Sequence, residues 1–435
     1  MSHSLNLEQP KAKRPKLKIT PTGVCITAML LLSLLVGIVP QFYLAIAVLG
    51  CAVVLVFTRD IWMAFPIMIF YYQSFGVLFG MSVYRYFTFL FLFYIIVNCI
   101  KIPINLSHLL LLVVFSIYCL VIIASDDLRR ALFVILDVLC IVLLVNCFLN
   151  NVEALKSFFR VYVFTALCSF VTGAVVSTAR VIDQVLGGEV VEVVRNYGTF
   201  EDPNYMGLFF SVAVFAMMSL SLFRPWVRAI LAVTLTIMIF TTLSVTALVL
   251  NAVFWLVYLF IYRKINIVTL CCIAIVLFAL LGLYSYGLEN PDTPVIGVFS
   301  LRIHEKLNEL SYGNINDVTT GRTDLTLYHW EYFSNQSFGK MLFGMNAAST
   351  LKTDLDGFTG VGHNEYVDLL LNVGLFGAIL FLGVFLKRAV KMFWRVRKDR
   401  DAYSGCIFML KVIWLGYAFT LTMFGDYRFM MLFFI

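Results

Sequence analysis

Long unbroken runs of apolar residues dominate this chain and bound what it can fold into. A membrane-crossing helix needs about 20 consecutive, mostly apolar residues. Runs of that kind occur at Thr22–Val39, Phe42–Phe57, Ile61–Gly80, Tyr86–Ile100, Leu109–Ala124, Ala131–Leu149 and Phe158–Val176. They resume at Tyr205–Leu222, Ala229–Leu243, Val245–Tyr262, Ile265–Leu283, Asn364–Leu386 and Gly405–Phe424, about thirteen in all. Strands of a membrane barrel alternate apolar and polar residues, so unbroken runs exclude that class. Charged residues make up only 13% of the chain, against roughly 25% in a soluble domain. The expected fold class is therefore all-α, a polytopic integral membrane protein with about 12–14 transmembrane helices. The last apolar stretch, Phe429–Ile435, is too short to cross.

The placement of Lys and Arg orients these spans, because cytoplasmic loops accumulate positive charge. The tail holds Lys11, Lys13, Arg14, Lys16 and Lys18 ahead of the first run, with no cleavable signal pattern. Putting that tail inside and alternating places twenty of the basic residues on the cytoplasmic side and eleven outside, with Lys411 inside the last span and expected to snorkel. The net charge of +7 is thus a matter of topology, and nucleic acid is not needed to explain it. All ten cysteines lie in apolar runs, with neither a disulfide framework nor a metal-ligand spacing. The organisation expected is a basic cytoplasmic tail (1–21) and N-terminal helices (22–176), then an outer loop (177–204) and central helices (205–283). A large outer loop (284–363) and C-terminal helices with a basic cytoplasmic loop (364–435) complete it. In the large loop, Leu301, His304, Leu307 and Leu310, and then Leu325, Tyr328 and Tyr332, recur at helical spacing. They predict amphipathic helices on the outer membrane surface.

Polar residues are few, so the candidates for chemistry stand out. Arg180, Arg195, Arg302 and Arg322 run against the positive-inside trend. One such arginine anchors a loop to lipid phosphate readily enough, but four in two loops suit an anionic substrate group, which guanidinium forks bind bidentately. His363 follows Gly360-Val361-Gly362 where the large loop re-enters the membrane. A neutral imidazole there has the chemistry of a general base. Asp202-Pro203-Asn204 opens a span and reads chiefly as a helix cap, with substrate contact by Asp202 or Asn204 as the second reading. Asp137, inside a span, is expected to pair with Arg129 or Arg130. No His, Cys or carboxylate cluster has metal spacing, and no phosphate-binding loop supports coupling to ATP.

Taken in order, Arg195-Asn-Tyr-Gly198-Thr-Phe200-Glu-Asp202-Pro203-Asn204 resembles the R-x-x-G-x-F-x-[DN]-P-N signature of the O-antigen polymerase/ligase superfamily. Thr320-Gly321-Arg322, Trp330, Gly339, Gly344, Gly362-His363-Asn364-Glu365-Tyr366 and Leu371-Asn-Val-Gly374-Leu-Phe-Gly377 continue the resemblance, which covers roughly Arg195 to Leu386. Members often carry a Ser-Arg pair in the turn between two middle spans. Here that turn reads Leu243-Ser244-Val245-Thr246, with Arg302 the candidate to stand in for the missing base.

The resemblance implies an inverting, metal-independent glycosyltransferase of type C in the bacterial cytoplasmic membrane, with a cytoplasmic N-terminus, an extracytoplasmic site and no cofactor. Its donor would be a glycan on undecaprenyl diphosphate, its acceptor a second glycan, and a chain-length regulator and a flippase further partners. Arg195 and Arg322 would neutralise the diphosphate and His363 would take the acceptor proton. Arg302, Arg180, Asp202, Asn204, Asn364, Glu365 and Tyr366 would contact substrate. The motifs leave two acceptors open: another lipid-linked repeat, for a polymerase, or lipid A core or some other acceptor, for an O-antigen ligase. A polysaccharide flippase is the rival from another class. Against it stands the absence of an inverted repeat and of paired broken helices.

Overall fold

The computed structural model describes residues 20–98, 106–124, 128–148, 151–175, 180–186, 189–195, 198–200, 202–262, 267–293, 295–314, 319, 321–345 and 363–424. Asn196-Tyr197, Glu201, Thr320, Gly360-Val361-Gly362 and Phe429–Ile435 lie outside the described residues. The chain is mostly helical, with sixteen α-helices among the described residues. The N-terminal half contains α1 (Pro21–Leu34), α2 (Gln41–Phe57), the short α3 (Phe65–Phe70), α4 (Val83–Val97), α5 (Leu106–Ala124), α6 (Leu128–Phe148) and α7 (Val152–Val175). Then follow α8 (Pro203–Leu220), α9 (Pro225–Phe240), α10 (Val245–Ile261) and α11 (Ile267–Glu289). The remainder comprises α12 (Ile296–Ser311), α13 (Arg322–Ser334), α14 (Phe338–Phe343), α15 (Glu365–Asp399) and α16 (Ala402–Tyr417).

Among the described residues three helices, α7, α8 and α15, are long and apolar enough to cross a membrane by length and composition. Large apolar side chains also face outward over the helical exterior, among them Phe57 (81% exposed), Ile96 (73%) and Phe278 (74%). A helical surface of that kind suits hydrocarbon better than water, since helices satisfy their own backbone groups.

Local chemistry sets the helix starts. Thr20 accepts from the amide of Gly23, Ser244 from that of Ala247, and Asp401 from those of Tyr403 and Ser404, while Pro21, Pro203 and Pro225 occupy first helical positions. At the centre stands α8, flanked by α7, α9, α10 and α16 and buried on nearly all sides. Beside it, α15 packs on α5 and α16 and carries the loop helices α13 and α14.

Four sequence expectations need correction. The run Ile61–Gly80 is not one helix: a 3-10 turn (Ile61–Ala64) leads into α3, and a two-stranded hairpin, β1 (Val77–Leu78) with β2 (Met81–Ser82), follows. Pro66 in the first turn, with Gly76 and Gly80 at φ 83° and 80°, divides the run. Asp137 pairs with Arg85, 2.6 Å from Nη1, and accepts from Tyr84 Oη at 3.2 Å, while Arg130 reaches Tyr118. The Arg85 guanidinium also covers the Phe133 ring at 4.3 Å. Lys411 does not snorkel; it is buried, its ammonium 4.7 Å from the Phe385 ring centroid. The basic stretch Lys387–Asp399 continues α15 as helix instead of forming a loop.

A second, longer pair of strands follows α7. β3 (Arg180–Leu186) pairs antiparallel with β4 (Glu189–Arg195), placing Arg180 opposite Arg195 at one end of the ladder, and β3 lies against α12.

Candidate functional site

The segment following β4 is fixed by close approach. Gly198 has φ 61° and its backbone lies against Gly173 of α7, where a Cβ on Gly173 would collide with the Gly198 carbonyl. Thr199 donates its amide to Ser169 Oγ at 3.1 Å and its hydroxyl to the Phe70 carbonyl at 2.6 Å. Phe200 stacks on Phe209, ring centroids 4.7 Å apart. The glycine and phenylalanine of the motif are thus packing residues that deliver Asp202 to the start of α8. Asp202 caps that helix, accepting from the amide of Asn204 at 2.7 Å.

Asn204 is buried, and its Oδ1 accepts from Ser244 Oγ at 2.5 Å. Ser244 belongs to the α9–α10 turn. Arg302, on α12, reaches the same turn, donating from Nη1 to the Leu243 carbonyl at 2.8 Å. Asn204, Ser244, Leu243 and Arg302 form a continuous polar connection from α8 to the loop helix.

Arg322 is the first residue of α13 and follows Gly321, whose φ of 76° suits glycine. Its guanidinium is pulled below its ordinary pKa by burial, while the Asp202 carboxylate beside it favours the charged form. His363 precedes α15 with φ 47°, an uncommon backbone for a side chain of its size. Burial, and then the nearby Arg322 cation, pushes its imidazole below the ordinary 6.5, with Asp202 and Asp368 opposing and His329 reinforcing. Arg322, His363 and Asp202 therefore share one electrostatic neighbourhood, with His363 held neutral near pH 7. Among the described residues no three His, Cys, Asp or Glu side chains converge to hold a metal.

The chain matches no protein-family model and no curated protein.

Other candidates have local tasks. Asn364 caps α15, accepting from the amides of Tyr366 at 3.1 Å and Val367 at 3.4 Å. Glu365 is fully buried and its Oε2 accepts the amides of Met423 and Phe424, so its carboxylate ties down the segment after α16. Tyr366 donates to the Leu415 carbonyl at 2.9 Å. Arg180 and Arg195 are placed by the register of β3 and β4.

Sequence reasoning missed His329 and Asp368. The buried residues of α13 are His329 and Phe333, whereas Arg322, Leu325, Tyr328 and Tyr332 are half-buried. His329 Nδ1 lies 3.3 Å from Asp368 Oδ1, and both residues are fully buried. The spacing was the available signal: His329 sits two turns after Arg322, on the same face.

Proposed function

We propose that this chain is a polytopic membrane glycosyltransferase of the O-antigen polymerase/ligase type. It would join undecaprenyl-diphosphate-linked repeats on the outer face of the bacterial cytoplasmic membrane, inverting and without a metal. The observation that carries the proposal is the convergence of Arg322, Asp202 and a neutral His363 from three separate elements. A diphosphate is already a good leaving group and needs charge neutralisation, which the half-buried Arg322 guanidinium supplies. An attacking hydroxyl needs a base, which a neutral imidazole supplies, a contribution of ~10²–10⁴-fold. Asp202 keeps Arg322 charged without donor present, and the second cations for the diphosphate are Arg195 and Arg180 at the hairpin end.

The test is transfer by purified protein in nanodiscs, given lipid-linked repeat as both donor and acceptor. Polymer should form with wild type, and Arg322→Ala and His363→Ala should each abolish it, the second while still binding donor. Transfer only to an added lipid A core acceptor would make the protein a ligase. Wild-type turnover by His363→Ala would remove the base and leave an arginine-lined anion site, which a transporter would equally use.

A further inference from the structure

Past Gly383, the face of α15 opposite its packing carries a row of cations. Ala389, Met392 and Val396 are buried, while Lys387, Lys391, Arg395 and Lys398 are exposed. Their spacing of four, four and three residues puts the four on one stripe, with Trp394 (65% exposed) among them. The other two arginines of this stretch are engaged elsewhere. Arg397 donates to the Phe260 carbonyl at 3.0 Å, and Arg388 hydrogen-bonds the Tyr403 side chain of α16. Among the described residues no hydrogen bond or ion pair engages the four cations of the stripe. Asp401 lies in electrostatic range of Arg395, but both its oxygens accept from the first turn of α16.

The stripe runs along the side of the helical bundle and not beyond its end. Arg397 is level with the last turn of α10 through Phe260, and Tyr262, just after α10, lies against Gly405 in the first turn of α16. Further from that end, α15 meets α16 at Phe393–Phe408, ring centroids 5.5 Å apart, and at Phe385–Trp414, 4.7 Å apart. At a rise of about 1.5 Å per residue, Lys391 and Lys387 stand roughly 9 and 15 Å from Arg397 along the axis. The helix they stand on is long and apolar enough to cross a membrane. Bare charge facing hydrocarbon at that depth is costly. Lysine stems bend their ammonium groups towards the headgroups, where phosphate is the matching anion. We propose that this stripe of α15 is a docking surface for anionic phospholipid, its cations taking the headgroup phosphate and Trp394 lying at headgroup level. Exposed Leu386 and Val390, beside the stripe, give the acyl chains an apolar wall. The inference rests on the reading of the bundle as membrane-embedded and is independent of the transfer chemistry.

The experiment uses the full chain in nanodiscs of phosphatidylcholine, replaced stepwise by dibrominated phosphatidylglycerol or by dibrominated phosphatidylcholine, since bromine quenches tryptophan on contact. The chain has six tryptophans, and the Trp394 signal is the difference between wild type and Trp394→Phe. Half-quenching of Trp394 should need a mole fraction of the glycerol lipid lower by about fivefold or more, and each contacting cation removed should shrink that preference by up to about fivefold. Lys391→Gln should show one such step, and Lys387→Gln/Lys391→Gln/Lys398→Gln should bring the two lipids together. Lys391→Arg, which keeps the charge, should keep the preference. Equal quenching of Trp394 by both lipids in wild type, or an undiminished preference in the triple variant, would overturn the site. Trp226, exposed on α9, reports insertion by itself. Quenching of Trp226 without Trp394 would mean that a protein partner covers the stripe, which also overturns the lipid site. Quenching of neither tryptophan would sink the membrane reading and the site together.

Discussion

The guanidinium of Arg302 donates to the carbonyl oxygen of Leu243 at 2.8 Å, across 59 residues of chain, and Leu243 itself has left-handed backbone (φ 53°). The contact docks α12 on the very turn whose serine holds Asn204. Arg302→Ala should destabilise the protein by roughly 1.5–3 kcal/mol, the range for a hydrogen bond with a charged partner, seen as a lower melting temperature. Transfer should fall with it, because the Ser244–Asn204 contact shares the same turn. Unaltered melting and turnover would show that α12 is held by Phe299 and its apolar neighbours alone.

The pH dependence follows from His363. Its folded value lies below 6.5, so the neutral base persists at pH 7 and is lost only as pH falls through that lowered value. The acid limb of kcat/KM should therefore sit below 6.5, and Arg322→Gln, measured by the residual rate, should move it upward by removing the adjacent cation. Stability has the same sign. Between the two values the unfolded chain binds more protons, so the contribution of His363 is complete above 6.5 and lost as pH falls through the folded value. A limb above 6.5 would mean that another group limits the reaction.

Two glycines set the distance between the loop helices and α15. Gly374 breaks α15 with φ 68° and ψ −178°, and Gly344 ends α14 with φ 88° and ψ 179°. Each would carry its Cβ into the other strand of the crossing, Gly344 against the Asn372 carbonyl and Gly374 against that of Leu342, beside a 2.8 Å bond from the Met345 amide to the Leu371 carbonyl. Such backbone is essentially restricted to glycine, and a side chain there costs ~1–3 kcal/mol before any clash. Gly374→Ala and Gly344→Ala should each lower the melting temperature and turnover, whereas Gly383→Ala, in open helix, should raise stability by up to ~1 kcal/mol. Equal melting of all three would contradict the close crossing.

Orientation is tested by labelling. In a background without native cysteines, Glu331→Cys on α13 should react with an impermeant maleimide in intact cells. Lys398→Cys, at the far end of α15, should react only after the membrane is opened. The reverse pattern would place the Arg322 neighbourhood on the cytoplasmic face and remove the proposed donor side.

Uninterrupted apolar runs told most of the helices in advance, because burial of such residues does not depend on which neighbour buries them. Where Pro66, Gly76 and Gly80 interrupt a run, the local backbone won, and Ile61–Gly80 folds as a short helix and a hairpin. The β3–β4 pair was missed although two valine-containing runs flank Gly187-Gly188, a two-residue hairpin signal; the apolar residues come in adjacent pairs and not in alternation, which hid the strands. The helix cap at Asp202 was legible since it acts within three residues; the cap at Asn364, equally local, went unread because that residue was taken only for substrate contact. His329 and Asp368 were not, because their partnership joins positions 39 apart and exists only once α13 lies on α15.

Thr422 holds Asp368, and Glu365 holds the amides of Met423 and Phe424, so the site draws on residues from Asp202 to the far side of α16. During synthesis, the arginines and the histidine emerge well before the residues that lock them. A nascent chain halted ahead of Thr422 carries every proposed reacting group yet lacks the anchor for the His329–Asp368 pair. On the proposed reading, activity would thus switch on only once the segment that follows α16 is seated against α15.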